Sequence, residues 1–156
     1  MNFRIEALSP DQFRALFDLS DEELAARNAC RRIAVDSSGA PCRVSLEAAE
    51  EGEELILLHS AHQTVASPYR ASHAIYVRRD VEQAQPAINE VPKVILSRLI
   101  SLRGFDAAGM MIHAEVTEGE NVPATLATIL EDPAVEYVHL HFAKAGCFAA
   151  SAKRAA

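Results

Sequence analysis

The sequence predicts an α+β fold: a single domain over residues 1–156 with a mixed or antiparallel sheet and three to four helices packed on it. Three observations point there. Strand-like and helix-like segments follow one another without a regular βαβ rhythm, which argues against an all-parallel sheet. Residues 135–142 and 147–153, joined around Gly146, read as a hairpin of two closing strands. With 156 residues, 49% hydrophobic and 24% charged, the chain has enough apolar surface for one core and lacks the composition of a disordered segment.

The elements follow in order. Residues 2–8 alternate, with Phe3, Ile5 and Ala7 on one side, as a first strand. Ser9 stands where it would cap a short helix, with Pro10 at the first helical position and Gln12 completing a capping box. Ser20 and Glu23 repeat the box and open a helix to about Arg27. Residues 32–36 read as a short strand, Ser37-Ser38-Gly39 as a turn, and Ser45 as the start of a helical turn that ends by Gly52. The run ELILLH (54–59) is apolar on both faces, the pattern of a central strand.

A polar connection at 60–72 then leads into a strand at 73–79, and loops of that length often carry function. At 92–102, Ile95, Leu96, Leu99 and Ile100 form one stripe while Lys93, Ser97, Arg98 and Ser101 take the other side. That spacing predicts an amphipathic helix. Asp106 and Gly109 bound a turn before a strand at 110–117. Pro123 opens the last helix, to about Glu131, with Leu126, Ile129 and Leu130 inward and Asp132-Pro133 stopping it.

Composition bounds the function classes. A net charge of −7 argues against a nucleic-acid groove and against anionic membranes. No apolar run reaches the ~18 residues of a membrane span, and the N-terminus lacks a hydrophobic signal core. Cys30, Cys42 and Cys147 are an odd set with no CxxC pair, so reduced thiols and a cytoplasmic location are expected. Arginine outnumbers lysine 12 to 3. A GC-rich genome accounts for that total, so function must be sought in the positions of particular arginines, whose planar fork matches two oxygens of an anion.

Four constellations could carry chemistry. The segment 67–78 combines Tyr69, Arg70, His73, Tyr76 and Arg78 at a loop-to-strand junction, a good clamp for a carboxylate or phosphate. A loop pinned by arginine–carboxylate pairs would use the same residues. His139 and His141 share a strand face roughly 7 Å apart. With Cys147, His59 or His62 they could ligate zinc or iron, though two ligands alone do not make a site, and no metal or cofactor is expected. Arg103, at the end of the predicted 92–102 helix, either caps that helix or joins Arg43 and Arg78 at a shared site. Cys42 lies beside Arg43, and Cys147 close to two histidines. Either thiol could be reactive, but free cysteine more often packs as a small hydrophobe. His113 and Glu115 share a face as a further acid–base candidate. No phosphate loop, HExxH, GxSxG or dinucleotide fingerprint occurs.

The runs PCRVSL (41–46), GEELILL (52–58), SPYRASHAIYVR (67–78), SLRGFDAAGM (101–110) and HLHFAKAGCFAA (139–150) together resemble the bacterial family called domain of unknown function 1203. The likeness covers nearly the whole chain. The family's pattern has Gly-Pro at the place of His73-Ala74 and HVHN at the place of 139–142. The matching Cys42, Arg43, Tyr69, Arg70, Arg78, Arg103, His139, His141 and Cys147 are the residues that the resemblance retains. It implies a bacterial, single-domain protein and supplies no activity. The leading expectation is a small-anion or small-molecule binding domain, or an enzyme, whose pocket joins the 67–78 segment, Arg43, Arg103 and the closing hairpin. The alternative is a non-catalytic structural or interaction protein that forms a homodimer. A metal- or thiol-dependent enzyme comes third.

Overall fold

The computed structural model describes residues 1–156. Eight strands, β1 (Phe3–Glu6), β2 (Ala29–Ile33), β3 (Glu54–Gln63), β4 (Ala71–Arg78), β5 (Leu99–Phe105), β6 (Met111–Glu118), β7 (Tyr137–Phe142) and β8 (Phe148–Arg154), accompany three short helices. These are α1 (Asp21–Ala25), α2 (Lys93–Leu96) and α3 (Val122–Ile129), with 3-10 turns at Pro10–Gln12, Arg14–Asp18 and Gly119–Asn121. The strands form two sheets, β1-β8-β7-β5-β6 and β2-β3-β4. Every strand pair in both is antiparallel. The fold is therefore α+β with antiparallel pairing, and it has two sheets where the sequence suggested one.

Period-2 alternation decides which side of the larger sheet is covered. Phe3, Ile5, Ile100, Leu102, Val138 and Leu140 are buried with Val122, Leu126 and Ile129 of α3 in the main core. Each such side chain contributes roughly 1.5–3 kcal/mol relative to exposure. The opposite face of this sheet carries Ser101, Arg103, His139 and Ser151, which the register places side by side. In the smaller sheet, Ile56, Leu58, Ile75 and Val77 pack with Phe13, Phe17 and Leu24. Leu55 and Tyr76 take the other side against Ala34, Ala40 and Ala49. That double coverage is why ELILLH is apolar on both faces. No helix is long and apolar enough to cross a membrane.

Local signals hold where the chain closes on itself. Ser20 and Glu23 make both halves of the capping box at the start of α1. Ser9 caps only a 3-10 turn, accepting from the Asp11 N–H, and Gln12 does not close the predicted box. The predicted helical turn at 45–52 is irregular chain, and the strand expected at 32–36 runs earlier, at Ala29–Ile33.

Two differences matter for the site. The stripe read as a helix over 92–102 belongs to two elements: α2 ends after one turn, and 99–105 becomes β5, the strand paired on both sides by β6 and β7. Sheet pairing here overrides a helical spacing, because Ile100, Leu102 and Gly104 face the core at period 2. Likewise, 60–72 is loop only at 64–70. β3 continues through Gln63, past a bulge near Ala61, and carries His62 away from its own sheet core.

Gly119 fixes where α2 stops. A Cβ built there would overlap the backbone carbonyls of Ile95 and Leu96. Gly119→Ala is accordingly expected to lower stability by about 2–3 kcal/mol, as overpacking against backbone does. Urea denaturation reads this as a lower midpoint. An unchanged midpoint would show that the 95–96 turn can move aside freely.

Candidate functional site

The extended end of β3 lies against the open face of the larger sheet, and three histidines meet there. The His62 ring stands 4.9 Å from that of His141 and 6.0 Å from that of His139, and the His139 and His141 rings are 6.2 Å apart. Phe148 stacks on His62 at 5.5 Å, and Phe105 and Tyr137 lie 5.0 and 5.1 Å from His139. His139 and His141 share a face as their spacing predicts, but that face is enclosed: they are only 6% and 1% exposed. The polar, solvated face that two histidines would suggest is covered by the β3 arm.

Burial sets their chemistry. Desolvation, with the positive charge of Arg103 and neighbouring imidazoles added, pushes His62 and His139 down to about 4 and His141 to about 3. All three are neutral near pH 7. The Gly146 carbonyl, 3.0 Å from His141 Nδ1, can only accept, so Nδ1 bears the hydrogen and Nε2 is the free acceptor. The Nδ1 atoms of His62 and His139 are buried without any hydrogen-bond partner. Buried polar atoms without partners are uncommon in folded proteins.

Arg103 stands opposite His139 across the β5–β7 pair, on the same face, and not at a helix end. Its Nε–H donates to the Ser101 hydroxyl at 3.3 Å, and the rest of its fork has no protein acceptor. Burial alone lowers its pKa, and no carboxylate raises it. The positive charge of Arg103 disfavours a cation among these rings. No group of three or more histidine, cysteine, aspartate or glutamate side chains is gathered to hold a metal.

The other sequence candidates are placed elsewhere. Arg78 shares a strand face with Tyr76, but its fork is filled by Glu53, at 2.6 and 2.7 Å, with Glu47 and Ser45 at 3.3 Å. Tyr76 packs against the small alanine-lined core. Arg43 is buried and donates to the carbonyls of Phe148 (2.7 Å) and Pro41 and to Cys147 Sγ (3.0 Å), with its guanidinium 4.9 Å from the Phe142 ring centroid. Cys42 Sγ accepts from the backbone N–H groups of Val44, Ser45 and Arg78. The three cysteines are unbridged. Tyr69 meets Phe105 edge-on at 6.3 Å, and Arg70 is exposed with no side-chain partner. His113 pairs at 2.8 Å with Asp132, not Glu115, and so ties β6 to the turn before β7.

The structure therefore brings both Arg103 and Arg43 to the closing hairpin, but the Arg43 donors are taken up by protein groups there, and Arg78 lies apart on the smaller sheet. It adds Phe105 and Phe148, sets Tyr137 on the face it shares with His139, and gives His62 a central place. A cleft of about 590 Å³ lies away from the histidines and is lined by Ser38, Glu47, Lys93 and Arg98 among others. Its arginine already donates to the carbonyls of Val94 and Ser38. The cleft and the unpartnered groups thus lie in different parts of the molecule.

An α+β protein of two antiparallel sheets, meeting at a neutral histidine cluster beside an arginine, is the class that these features define. The chain belongs to the family described as Protein of unknown function (DUF1203), which matches residues 39–154. No curated protein and no solved structure matches it.

Proposed function

We propose that this protein binds a small anion at Arg103, with His62, His139 and His141 lining the site and both sheets acting as one domain. The observation that supports this reading most is the open fork of Arg103. Arg14, Arg31, Arg78 and Arg79 each have a carboxylate within salt-bridge distance. Arg43, Arg98 and Arg154 donate to backbone carbonyls. Arg4, Arg27, Arg32 and Arg70 also have neither but lie in exposed positions, and Arg103 is the half-buried arginine without either. A desolvated guanidinium without a counter-charge is unfavourable, and an anion would offset that while giving the orphaned ring nitrogens a partner.

The rival reading, a non-catalytic structural or interaction protein that forms a homodimer, draws on Arg43 and Arg78, whose donors all serve the fold. The two separate in calorimetry at low salt with inorganic phosphate and acetate as probes. Arg103→Gln is expected to weaken phosphate binding by about tenfold or more, the worth of one or two charged hydrogen bonds. Arg14→Gln, on the exposed surface, should leave it unchanged. A parent protein that binds neither probe at any low-salt condition would remove the anion reading and leave the structural one.

A further inference from the structure

We infer that the anion held at Arg103 carries an apolar body: the geometry points to an amphiphilic carboxylate, of medium acyl length, lying along β5 and β6. This rests on the anion reading above and narrows it. In the β5–β6 register Arg103 is opposite Ala114, and Ser101 is opposite Val116, so all four side chains share the face that bears His139. The main core lies on the other face, and β6 is the edge strand of its sheet, with no strand beyond it.

The surroundings of this face are unusually apolar for exposed surface. Val116 is 60% exposed, and Ala114 is exposed as well. Ile112 adds to them at the β6 bulge. Val65 and Tyr69 approach from the 64–70 loop, which is fastened to the β5–β6 turn by the Ser67 hydroxyl donating to the Gly109 carbonyl at 2.9 Å. A Cβ on Gly109 would run into Val65, so that loop lies directly on the turn. Of the ten large hydrophobics that stay exposed in the chain, Val65, Tyr69, Met110, Ile112 and Val116 lie on these two segments. Val65, Tyr69, Met110 and Ile112 gather at the turn end of β6 and Val116 lies beyond Ala114, so exposed apolar side chains flank the Arg103 position on both sides along the strand.

Charge and shape select the occupant. One guanidinium without a counter-ion matches one carboxylate, two oxygens to two N–H groups. From Ala114 to Val116 the strand advances roughly 7 Å, enough to cover several methylenes of a chain whose head is at Arg103. The neutral imidazoles and the rings of Phe105 and Tyr137 would flank the head group without adding a second charge, which favours a monoanion over a phosphate ester.

Octanoate, acetate and inorganic phosphate are the probes, titrated into the full chain by calorimetry, with sedimentation velocity on the same samples. Octanoate is expected to bind at least about tenfold more tightly than acetate, since its added methylenes leave water for the apolar face. Val116→Ser should lower octanoate affinity several-fold and leave acetate affinity as it was, and Arg103→Gln should lower both. Val116 is exposed, so its substitution should not unfold the chain. Equal affinity for octanoate and acetate would overturn the apolar body while the anion site stands. Absence of binding by all three probes would overturn both. A dimer in sedimentation that Val116→Ser dissociates, with no octanoate preference, would assign this face to a second copy of the chain and overturn the proposal.

Discussion

Arg43→Ala is expected to destabilise the chain by about 3–5 kcal/mol, the range for removing one partner from a buried, charged hydrogen-bond set. Arg43 is 2% exposed, and its side-chain donors go to two carbonyls and a sulfur rather than to a carboxylate. They satisfy the carbonyls of Phe148 and Pro41 and reach Cys147 Sγ. Alanine would leave those acceptors buried without donors and open a cavity beside Phe142, so two unfavourable effects add. The position magnifies the loss. The Arg43 N–H donates to Tyr76 of β4 while its carbonyl accepts from Leu8, and its side chain reaches β8. One residue thus fastens the irregular 40–48 segment to both sheets. Arg43→Met keeps most of the volume without the donors and should recover only part of the loss. Chemical denaturation measures both variants. An alanine variant within about 1 kcal/mol of the parent would mean that water replaces the guanidinium, and that the joint between the sheets lies elsewhere.

The same residue shows why the site was only partly legible in the sequence. Arg43, Arg78 and Arg103 are equivalent as letters, and any of them could have held an anion. What separates them is whether a carboxylate or carbonyl arrives from a distant segment: Glu53 reaches Arg78, and Phe148 reaches Arg43 from 105 residues away. Nothing reaches most of the Arg103 fork. Residue pattern reports faces of single elements, so it placed His139 and His141 on one side of a strand correctly. It could not report that β3 continues past its own sheet to set His62 over them. The polar letters of 60–63 (SAHQ) read as loop because their partners, Tyr137 for Gln63 and the histidines for His62, lie more than 70 residues on. The helix misread at 92–102 has the same origin. Its apolar spacing suits a helix, and only pairing with β6 and β7 makes 99–105 a strand. The hairpin, the capping box of α1 and α3 depend on neighbours in sequence, and those were readable.

Stability is expected to fall steeply as pH drops from about 6.5 towards 5, before most carboxylates titrate. His62, His139 and His141 have folded values pushed from the ordinary 6.5 down to about 4, 4 and 3, chiefly by burial. Above pH 6.5 these rings are neutral in both folded and unfolded chains, so stability there is complete. Below it the unfolded chain takes up protons that the folded chain refuses, and stability is lost until the folded values are reached. By about pH 5 the buried His139 and His141 should each cost about 2 kcal/mol, and the half-exposed His62 less. The sum is a large part of the 5–15 kcal/mol that typical domains possess. Glu53, held down by Arg78, contributes in a lower window, losing its stabilising effect only as pH falls below its ordinary 4.5. Urea titrations between about pH 7.5 and 5 measure the slope directly as protons taken up on unfolding. His139→Phe, which removes one titrating ring while keeping an aromatic beside Phe105, should reduce that slope by about one proton. Saturating phosphate should reduce it too, because a bound anion offsets the charge of Arg103 and lets the imidazoles protonate in the folded state. A stability profile flat across this range would mean that the three rings are solvated, and the enclosed histidine site would go with it.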